Sequence, residues 1–531
     1  MDKRQKWLQM RTYSLETMNI ARRALDEICM GVDVLDAIRH NPLPQGGYLG
    51  KHALIKAYQE LVEGGEWAED AALLAKVRLK PVRTLSGVST VTVLTKPYPC
   101  PYHCVFCPQE ENMPKSYIQE EPGAKRAFEN NFDPYAQVRT RLKALDSVGH
   151  PTDKVELLIL GGTWSAYPKI YQEWFIRRCF DALNSDKPAV TLEEAHHVNI
   201  SAAHRNVGLA IETRPDEINS SELAWLRYLG VTKVQMGAQS LDDVILTINQ
   251  RGHSVAKTHE AVALLRAAGF KIVLHWMPNL LGSTPEMDRA DFVRLWQDLC
   301  PDELKIYPTQ LLKSAPLYPL WQQGLFHPYS TETLVELIAH VKTTIPRYCR
   351  VNRVIRDIPS PYVVEGNKRT SLRLDIQERM KQLGTRCDCV RCREVKGESV
   401  VLDDLKVEEI NYSAGGAEEH FLSFVTKEDK LAGFLRISLP SQQSPFTGLN
   451  DLQDAAIIRE VHVYGQSLAV GEEKSGAAQH IGLGGRLIRR AMEIAREKGY
   501  ARLAVISAIG TRLYYQRHGF EMGETYQVCT L

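Results

Sequence analysis

Short apolar runs alternate with amphipathic helical stretches across the middle of the chain. The runs are short enough for buried strands, and their alternation with helices predicts parallel strands in a β/α barrel or an open α/β sheet. Amphipathic helices are predicted at residues 133–147 and 258–268. The predicted strands are residues 90–95, 155–160, 207–211, 233–236, 271–275 and 305–307.

The two ends of the chain differ from the middle, and from each other, in the spacing of their apolar residues. Residues 1–80 show the helical period, with helices expected at 7–30, 32–39, 52–63 and 67–78, so this stretch is predicted to be a helical arm. The region 81–385 carries the strand–helix alternation. From residue 397 to 531 an α+β domain is predicted, with a helix over 486–498. Its expected strands are residues 400–402, 420–425, 431–438, 457–464 and 502–507.

Charge and cysteine content narrow the class of protein. The 531 residues carry 65 Lys and Arg against 64 Asp and Glu, so the formal charge of +1 does not by itself indicate a nucleic-acid partner. Eleven cysteines, an odd and clustered set, argue against a secreted disulfide framework. No apolar run is long enough to span a bilayer, and the N-terminus has no apolar signal core. A cytoplasmic protein without membrane contact is therefore expected.

Basic residues are concentrated in two segments. One is the segment 347–393, and the other is the first 23 residues. Either could be a solvated helical face, but two such segments around one catalytic region favour a polyanionic substrate. The cations of the first segment are Lys3, Arg4, Lys6, Arg11, Arg22 and Arg23.

Three cysteines lie within eight residues after the first predicted strand: Cys100, Cys104 and Cys107. Three thiolates can hold a [4Fe-4S] cluster with one iron left open, and an open iron can chelate a small molecule. The CxxxCxxC spacing, with Phe106 before the last cysteine, resembles the radical-SAM superfamily, which binds S-adenosylmethionine (SAM) at that iron. A zinc knuckle or unligated thiols are the alternatives.

A second thiol cluster, Cys387, Cys389 and Cys392, lies in the linker 386–396. Its CxCxxC spacing predicts a tetrahedral zinc with a fourth ligand from elsewhere in the chain. An accessory iron-sulfur site or free reduced thiols are the alternatives, because three cysteines alone do not close a structural zinc site.

A Gly-rich turn opens the last long predicted helix. Free backbone N–H groups at such a turn, together with the helix dipole, can cradle a pyrophosphate, although a tight turn alone would look similar. A strand precedes the turn and a tyrosine pair follows it, an order that resembles the coenzyme A site of GNAT-type acetyltransferases. The residues concerned are Glu460, Val461, His462, Val463, Gln479, Gly482, Leu483, Gly484, Gly485, Tyr514 and Tyr515.

One chain with both halves resembles the catalytic subunit of Elongator and its stand-alone bacterial and archaeal relatives, the tRNA wobble-uridine carboxymethyl synthases. The resemblance covers nearly the whole chain. It implies an α/β chain made of a helical arm, a partial (βα) radical-SAM barrel and a GNAT domain. The matching stretches are residues 80–87, 100–107, 149–156, 161–163, 211–215, 237–240, 249–253, 305–308, 356–359 and 514–515.

The resemblance implies a reaction that uses both halves. A reduced [4Fe-4S] cluster would cleave SAM to a 5′-deoxyadenosyl radical, which would take a hydrogen from the methyl group of acetyl-CoA. The carbon radical would add to C5 of the wobble uracil, and thioester hydrolysis with loss of an electron and a proton would leave 5-carboxymethyluridine.

Individual roles follow by position from the family. Phe106 would lie near the SAM adenine, and Gly161, Gly162 and Thr163 near its methionine amino group. Lys154 and Tyr515 are the catalytic candidates, and Lys154 occupies the position at which the radical domain contacts acetyl-CoA. Four polar residues near predicted strand ends could face the barrel ligand or cap helices instead: Glu212, Arg214, Gln239 and His275.

The resemblance also implies partners. The anticodon stem-loop of tRNA is the expected substrate, since a wobble base is already single-stranded and costs little to extrude. An electron donor must reduce the cluster. The short cysteine loop and the divergent segment 108–122 suggest a prokaryotic origin, hence no multi-subunit Elongator assembly and self-sufficient action, with a homodimer as a candidate state.

Two other functions compete with this one. A radical-SAM enzyme acting on another substrate could be fused to a protein lysine acetyltransferase, with Glu460 as the base that deprotonates the amine. A tRNA-binding scaffold with vestigial sites is the non-enzymatic alternative. Intact cluster cysteines, cradle glycines and tyrosine pair disfavour it.

Overall fold

The N-terminal part of the protein is a cluster of four helices. The computed structural model describes residues 13–79, 84, 86–184, 187–396, 400–464 and 482–531. The Ser14 hydroxyl caps the first helix by accepting a hydrogen bond from the backbone N–H of Thr17 at 3.1 Å. The helices bury their own apolar cluster, separate from the main core of the protein. They are α1 (Leu15–Cys29), α2 (Val34–His40), α3 (Lys51–Glu63) and α4 (Ala71–Val77).

Seven parallel strands form the central sheet, in the same order as in the chain. The sheet is an open barrel because the last strand does not return to the first. The strands are β1 (Ser89–Leu94), β2 (Lys154–Leu160), β3 (Arg205–Thr213), β4 (Lys233–Gln239), β5 (Lys271–Trp276), β6 (Glu303–Ile306) and β7 (Arg350–Arg353). The predicted partial (βα) barrel is confirmed, and all six predicted strands lie in it.

Helices connect these strands and cover the outer face of the sheet, as parallel crossovers require. Among the described residues, no helix is long and apolar enough to cross a membrane. The helices of this region are α5 (Pro122–Glu129), α6 (Pro134–Asp146), α7 (Lys169–Asn184), α8 (Leu192–Asn199), α9 (Ser220–Tyr228), α10 (Asp243–Ile248), α11 (Val255–Ala267), α12 (Pro285–Arg294), α13 (Leu317–Gln322), α14 (Thr331–Lys342), α15 (Leu372–Gln382) and α16 (Val390–Arg393).

The C-terminal domain is a second seven-stranded sheet, of order β13-β14-β12-β11-β10-β9-β8. Strands β11 and β12 pair in parallel, and the other described neighbours pair antiparallel. The predicted strand at 400–402 is wrong, because Leu402–Asp404 forms a 3₁₀ turn. The strands are β8 (Lys406–Ala414), β9 (Ala417–Val425), β10 (Leu431–Pro440), β11 (Ala455–Val463), β12 (Arg502–Val505), β13 (Glu521–Met522) and β14 (Gln527–Thr530), with helices α17 (Leu483–Glu497) and α18 (Arg512–Gln516).

The C-terminal sheet packs against the end of the barrel at which the strands begin. Backbones approach closely there: a Cβ on Gly510 would lie 2.6 Å from the Cβ of Arg205, the first residue of β3. A Cβ on Gly269, just before β5, would lie 2.7 Å from Cγ2 of Ile457. Buried apolar residues of both domains belong to one continuous core. The two domains are therefore packed as one body.

Ion pairs buried in this interface join the two domains. Asp302, just before β6, is fully buried and pairs with Arg459 of β11. Its carboxylate also lies 3.5 Å from Nη1 of Arg436 on β10. Burial alone would raise the pKa of Asp302, but Arg459 and Arg436 outweigh burial and lower it to about 2. Asp302 therefore remains ionised and holds two arginines of the other domain.

Candidate functional site

A cavity of about 1020 Å³ occupies the lumen of the barrel. Phe106 and Tyr117 line it near the cysteine loop. Glu460, His462 and Tyr515 of the C-terminal domain line the opposite part. One cavity thus borders both predicted reaction centres, which lie at opposite ends of the barrel strands.

The cysteine loop begins after β1, at the carboxyl end of the barrel, where βα barrels place their active sites. Cys104 and Cys107 are buried and Cys100 is half-buried. Backbone hydrogen bonds fix the loop: the N–H of Val105 donates to the Asn249 carbonyl at 3.2 Å, and that of Leu317 to the Val105 carbonyl at 2.8 Å. Burial raises the pKa of the Cys107 thiol to about 12. Three soft donors on one anchored loop suit an iron-sulfur cluster.

The residues predicted to contact SAM follow β2 or lie beside the loop. Gly161 and Gly162 have φ values of +142° and +92°, which favour glycine. At Gly161 the backbone lies close to another protein residue and not to a ligand site, since a Cβ there would lie 1.8 Å from Oγ1 of Thr95. Thr163 is buried at the start of a short 3₁₀ turn. Phe106 lines the cavity, whereas these three residues do not.

Polar side chains line the cavity near the carboxyl ends of the strands. Tyr117 donates to a Glu212 carboxylate oxygen at 2.7 Å, and Nδ1 of His275 lies 3.6 Å from the other oxygen. Burial holds the pKa of His275 well below its usual value, so this imidazole is neutral. Oε1 of Gln239 is buried and has no hydrogen-bond partner among the described residues, and its backbone has a φ of +69°. Three of the four predicted strand-end residues thus face the lumen.

A layer of alternating charges crosses the lumen where the strands begin. Nζ of Lys233 lies 2.6 Å from the Glu156 carboxylate and 3.3 Å from that of Glu303. Lys271 pairs with Glu303 at 3.8 Å and with Glu460 of the C-terminal domain. All of these residues line the cavity. The charge layer therefore connects the barrel interior to the β11 strand of the other domain.

Glu460 is held in this layer as a carboxylate. Its second oxygen accepts a hydrogen bond from Nε of Arg436 at 2.9 Å. Burial would raise its pKa, but Lys271 and Arg436 outweigh burial and lower it. Such a carboxylate is a poor base for an amine. These contacts disfavour Glu460 as the base of a lysine acetyltransferase.

The next residues of β11 continue along the cavity wall. Val461 and His462 line it, and Val463 packs beside Gly433 of the neighbouring strand. Burial lowers the pKa of His462 to about 4. Nε2 of His462 is buried and makes no hydrogen bond within the described part of the protein. A neutral imidazole with one free nitrogen is available here for a ligand.

The Gly-rich turn leads into α17 as predicted. Gly482 is the N-cap, with a φ of +67°, and Leu483 is the first helical residue. Gly484 leaves room for Tyr514, because a Cβ at this position would lie 2.4 Å from the Tyr514 hydroxyl and would displace it. A Cβ on Gly485 would meet His518 at 3.0 Å. Gln479 lies outside the described residues, so only the helical half of the cradle is visible.

The tyrosine pair lies beside this turn. The rings of Tyr514 and Tyr515 meet edge to face, with centroids 5.3 Å apart. Burial raises the pKa of Tyr514 to about 12 and that of Tyr515 above its usual value, so both hydroxyls stay protonated. Tyr515 lines the cavity and can donate a hydrogen bond into it.

Lys154 is the first residue of β2, at the edge of the barrel that faces the C-terminal domain. Its neighbour in the sheet is Arg205, on which Gly510 packs. Burial lowers the pKa of its ammonium group. Lys154 does not contribute to the cavity wall as far as the described residues define it. Its predicted contact with acetyl-CoA would therefore be made at the domain interface.

Cys387, Cys389 and Cys392 have their sulfur atoms within 4.8 Å of one another. Among the described residues, no other group of three metal-binding side chains is gathered as closely, which also separates this site from the cysteine loop. A tetrahedral zinc at about 2.3 Å from each sulfur requires such spacing. Cys389 accepts hydrogen bonds from the other two thiols, which lowers its pKa well below the usual value. The donor set fits one soft cation.

The basic segment 347–393 is less available to a polyanion than its composition indicates. Arg347 and Arg393 both pair with Asp429 and Glu408. Arg350 is bound to Glu394, and Arg356 to Glu121. Of the exposed cations, Arg353, Arg369 and Arg386 each pair with an aspartate. Lys368 and Lys381 are exposed and have no carboxylate within ion-pair distance among the described residues. The predicted phosphate contacts of this segment are thus narrowed to a few residues.

Sequence reasoning missed the charge layer and the role of Arg251, one of two arginines that contact the cysteine loop. Arg214 and Arg251 donate to the sulfur of Cys104. Arg214, which the sequence suggests could face the barrel ligand or cap a helix, contacts Cys104. Both arginines lie in stretches that match the family, 211–215 and 249–253. A sequence motif does not reveal which atom a guanidinium group contacts, so the bonds to Cys104 were not predictable.

Three family models match consecutive parts of the chain. The Radical SAM superfamily matches residues 98–293, the Radical_SAM C-terminal domain residues 301–382, and the Acetyltransferase (GNAT) family residues 392–520. Their order is the one that the two sheets show. The predicted radical-SAM and GNAT folds are confirmed.

Relatives from bacteria, archaea and eukaryotes match across most of their length. The tRNA uridine(34) acetyltransferase of Dehalococcoides mccartyi is 42% identical over 452 residues, which cover 84% of this chain and 98% of the relative. Elongator complex protein 3 of Homo sapiens is 36% identical, covering 86% of each chain. Among solved structures, Methanocaldococcus infernus Elp3 with an N-terminal deletion is 37% identical, with a TM-score of 0.74 over 84% of this chain and 99% of that one.

Proposed function

The chain belongs to the family of tRNA uridine(34) acetyltransferases and Elongator complex protein 3, and we propose from this that it modifies the wobble uridine of tRNA. The product is 5-carboxymethyluridine, formed from acetyl-CoA with SAM as the radical source. The observation that carries the proposal is the single cavity lined by both domains. Two unrelated activities would have no use for a shared lumen.

The residues of the chain divide the work along this lumen. Cys100, Cys104 and Cys107 would hold the cluster, which together with SAM supplies a radical able to abstract hydrogen from carbon. Glu212 and Gln239 offer hydrogen-bond acceptors near the loop, suited to the N–H of an extruded base. Low-polarity walls such as Leu94, Leu158 and Leu160 limit water around the reacting atoms.

The C-terminal side would bind acetyl-CoA. The first turn of α17 presents unpaired backbone N–H groups to the pyrophosphate. The protonated Tyr515 hydroxyl can donate to the thioester carbonyl oxygen, and His462 can accept or donate at its free nitrogen. Tyr515 and His462 would thereby hold the acetyl group where the domain interface meets the lumen.

The proposal is tested by turnover of the purified protein under anaerobic reduction with tRNA, acetyl-CoA and SAM. Formation of 5-carboxymethyluridine at the wobble position, detected by nucleoside mass spectrometry, is expected only with all three present. SAM cleavage with unmodified tRNA, together with transfer of acetyl groups to protein lysines, would instead support the fused lysine acetyltransferase.

The Cys387, Cys389 and Cys392 site is proposed to hold zinc as a structural link between the domains. Val390, which lies between the second and third of these cysteines, donates its backbone N–H to the Cys349 carbonyl, and Glu394, which follows them, pairs with Arg350 of the barrel. A metal at this point would therefore fix the linker against the barrel end.

A Cys389→Ala variant is expected to lose about one equivalent of zinc and to unfold at lower denaturant concentration, because a structural metal contributes directly to folding. Metal analysis of the purified protein measures the first effect. Cys300→Ala, a buried cysteine outside the site, is the matched control. Undiminished zinc in Cys389→Ala would rule out the site.

The basic N-terminal segment is proposed to contact the anticodon stem. Lys3, Arg4, Lys6 and Arg11 lie outside the described residues, so the proposal rests on sequence alone. Replacing all four by alanine should weaken tRNA binding. It should also reduce the slope of log K against log salt by roughly 0.7–0.9 for each phosphate that the protein ceases to neutralise.

Filter binding at several salt concentrations measures this slope. The matched control neutralises four exposed cations that are engaged in surface ion pairs, Lys56, Arg289, Lys427 and Arg490. An equal slope in the N-terminal variant and the wild type would contradict the assignment.

The divisions at 80, 385 and 396 are supported by the separate core of the helical cluster and by the order of the sheets. The resemblance also predicts that the protein acts in the cytoplasm as a homodimer, without other Elongator subunits. It further predicts a separate electron donor. Mass photometry of the purified protein would test the assembly.

A further inference from the structure

Two buried arginines point at one sulfur of the cysteine loop. Nη1 of Arg251 lies 3.5 Å from Sγ of Cys104, and Nη1 of Arg214 lies 3.7 Å from it. Both distances are within hydrogen-bond reach of a sulfur acceptor. Cys104 is 5% exposed, and the arginines are 6% and 3% exposed, respectively. Water therefore contributes little to the surroundings of this sulfur.

Other contacts hold both guanidinium groups in place. Arg214 donates twice to Asp216, at 2.8 Å each, and lies over the ring of Tyr102 at 3.4 Å from its centroid. Tyr102 belongs to the cysteine loop itself, so Arg214 contacts the loop at two residues, Tyr102 and Cys104. Arg251 donates to the Gly237 carbonyl at 2.6 Å. A Cβ on Gly237 would lie 2.8 Å from Nη2 of Arg251, so glycine leaves room for this approach.

The charge of Arg251 is balanced differently from that of Arg214. Among the described residues, no Asp or Glu lies within ion-pair distance of Arg251, whereas Arg214 has Asp216. A buried cation without a counter-charge is strongly destabilising. The Cys104 sulfur is the group placed to supply a negative charge, as a thiolate does when it binds iron.

We propose that Arg251 and Arg214 are positioning residues of the iron-sulfur cluster that set how readily it is reduced. The inference rests on the proposed function, which places a cluster on Cys104. Donation to the sulfur disperses its negative charge. Reduction adds one electron to the cluster from a low-potential donor, with no bond formed or broken. Two cationic donors at Cys104 favour the reduced state and so raise the reduction potential.

The test is a redox titration of the full-length, reconstituted protein with dithionite, followed by electron paramagnetic resonance. Arg251→Met should lower the equilibrium constant for cluster reduction at least tenfold, which corresponds to a potential about 59 mV more negative for one electron. Arg251→Lys, which keeps the charge but shortens the donor, should shift in the same direction by less. Iron content is measured for each variant.

The matched control is Arg227→Met. Arg227 is equally buried and bonds to backbone carbonyls of Val231 and Thr525, away from the loop. The reduction potential of the cluster in the Arg227→Met variant should equal that of the wild type. A structural role alone could change stability or iron content in either variant, but only a donor to the cluster changes the potential.

The possible outcomes distinguish failure of the inference about the two arginines from failure of the proposed function. Full iron content with an unchanged potential in Arg251→Met overturns the inference and leaves the proposed function intact. A wild-type protein that takes up no cluster overturns the proposed function itself. If Arg251→Met takes up no iron, Arg251→Gln, which keeps an N–H donor without the charge, is titrated instead. An unchanged potential there overturns the inference.

Discussion

A Cys107→Ala variant is expected to lose SAM cleavage and tRNA modification altogether, at least about a thousandfold, because two thiolates cannot hold the cluster that supplies the radical. Cys107 suits this test better than Cys104, which also accepts hydrogen bonds from two arginines. Replacing Cys107 leaves both arginines with their sulfur partner. Iron content, visible absorbance and nucleoside mass spectrometry measure the effects.

The same variant should still bind acetyl-CoA. The Gly482–Gly485 turn and Tyr515 lie in the other domain, whereas Cys107 lies at the carboxyl end of the barrel. Cys179→Ala, a buried cysteine in the core of α7, is the control, and it should keep both iron and activity. Residual turnover in Cys107→Ala above the level without SAM would contradict the assignment of this cysteine as a cluster ligand.

An Asp302→Ala variant is expected to be destabilised by about 3 kcal/mol, because two fully buried arginines lose their shared carboxylate. Arg459 retains Glu419 at 2.7 Å and Arg436 retains Glu460, which keeps the loss from being larger. The midpoint of denaturant unfolding measures it. Asp36→Ala removes an exposed pair with Arg39 and should leave the midpoint unchanged.

Asp302 also gives the stability a defined pH dependence. Its pKa falls from 3.8 in a free chain to about 2 in the folded protein. A lowered pKa contributes stability that is fully present above about pH 4 and is lost as pH falls toward 2, amounting to roughly 2 kcal/mol. The stability difference between wild type and Asp302→Ala should therefore shrink in that window. A difference independent of pH would exclude this cause.

The strands were predictable where their surroundings are apolar. Burial on both faces makes β5 a nearly continuous apolar run. β2 alternates between buried and half-buried positions but ends in four consecutive apolar residues, so the sequence pattern reveals it too. β7 was missed because it reads Arg-Val-Asn-Arg, with three polar residues that face the lumen or the domain interface. β8 was missed because it lies at the edge of its sheet and is largely exposed.

The candidate site was predictable as far as local spacing determines it. The cysteine loop and the α17 turn each lie within a few residues of chain, so their chemistry is visible in order. The charge layer is not, because Lys233 and Lys271 look like ordinary strand-end cations until Glu303 and Glu460 are brought beside them. The same holds for Arg347, whose partner Asp429 is 82 residues away.

The shared core between the two sheets determines how the two activities can be supplied in a cell. Ile457 and Ile509 are fully buried against the barrel, so a chain ending after β7 would expose an apolar face and invite aggregation. Expressing one domain alone would therefore change its stability as well as remove the activity of the other domain. The joined fold also fixes the stoichiometry of the two domains at one to one, whatever the level of expression.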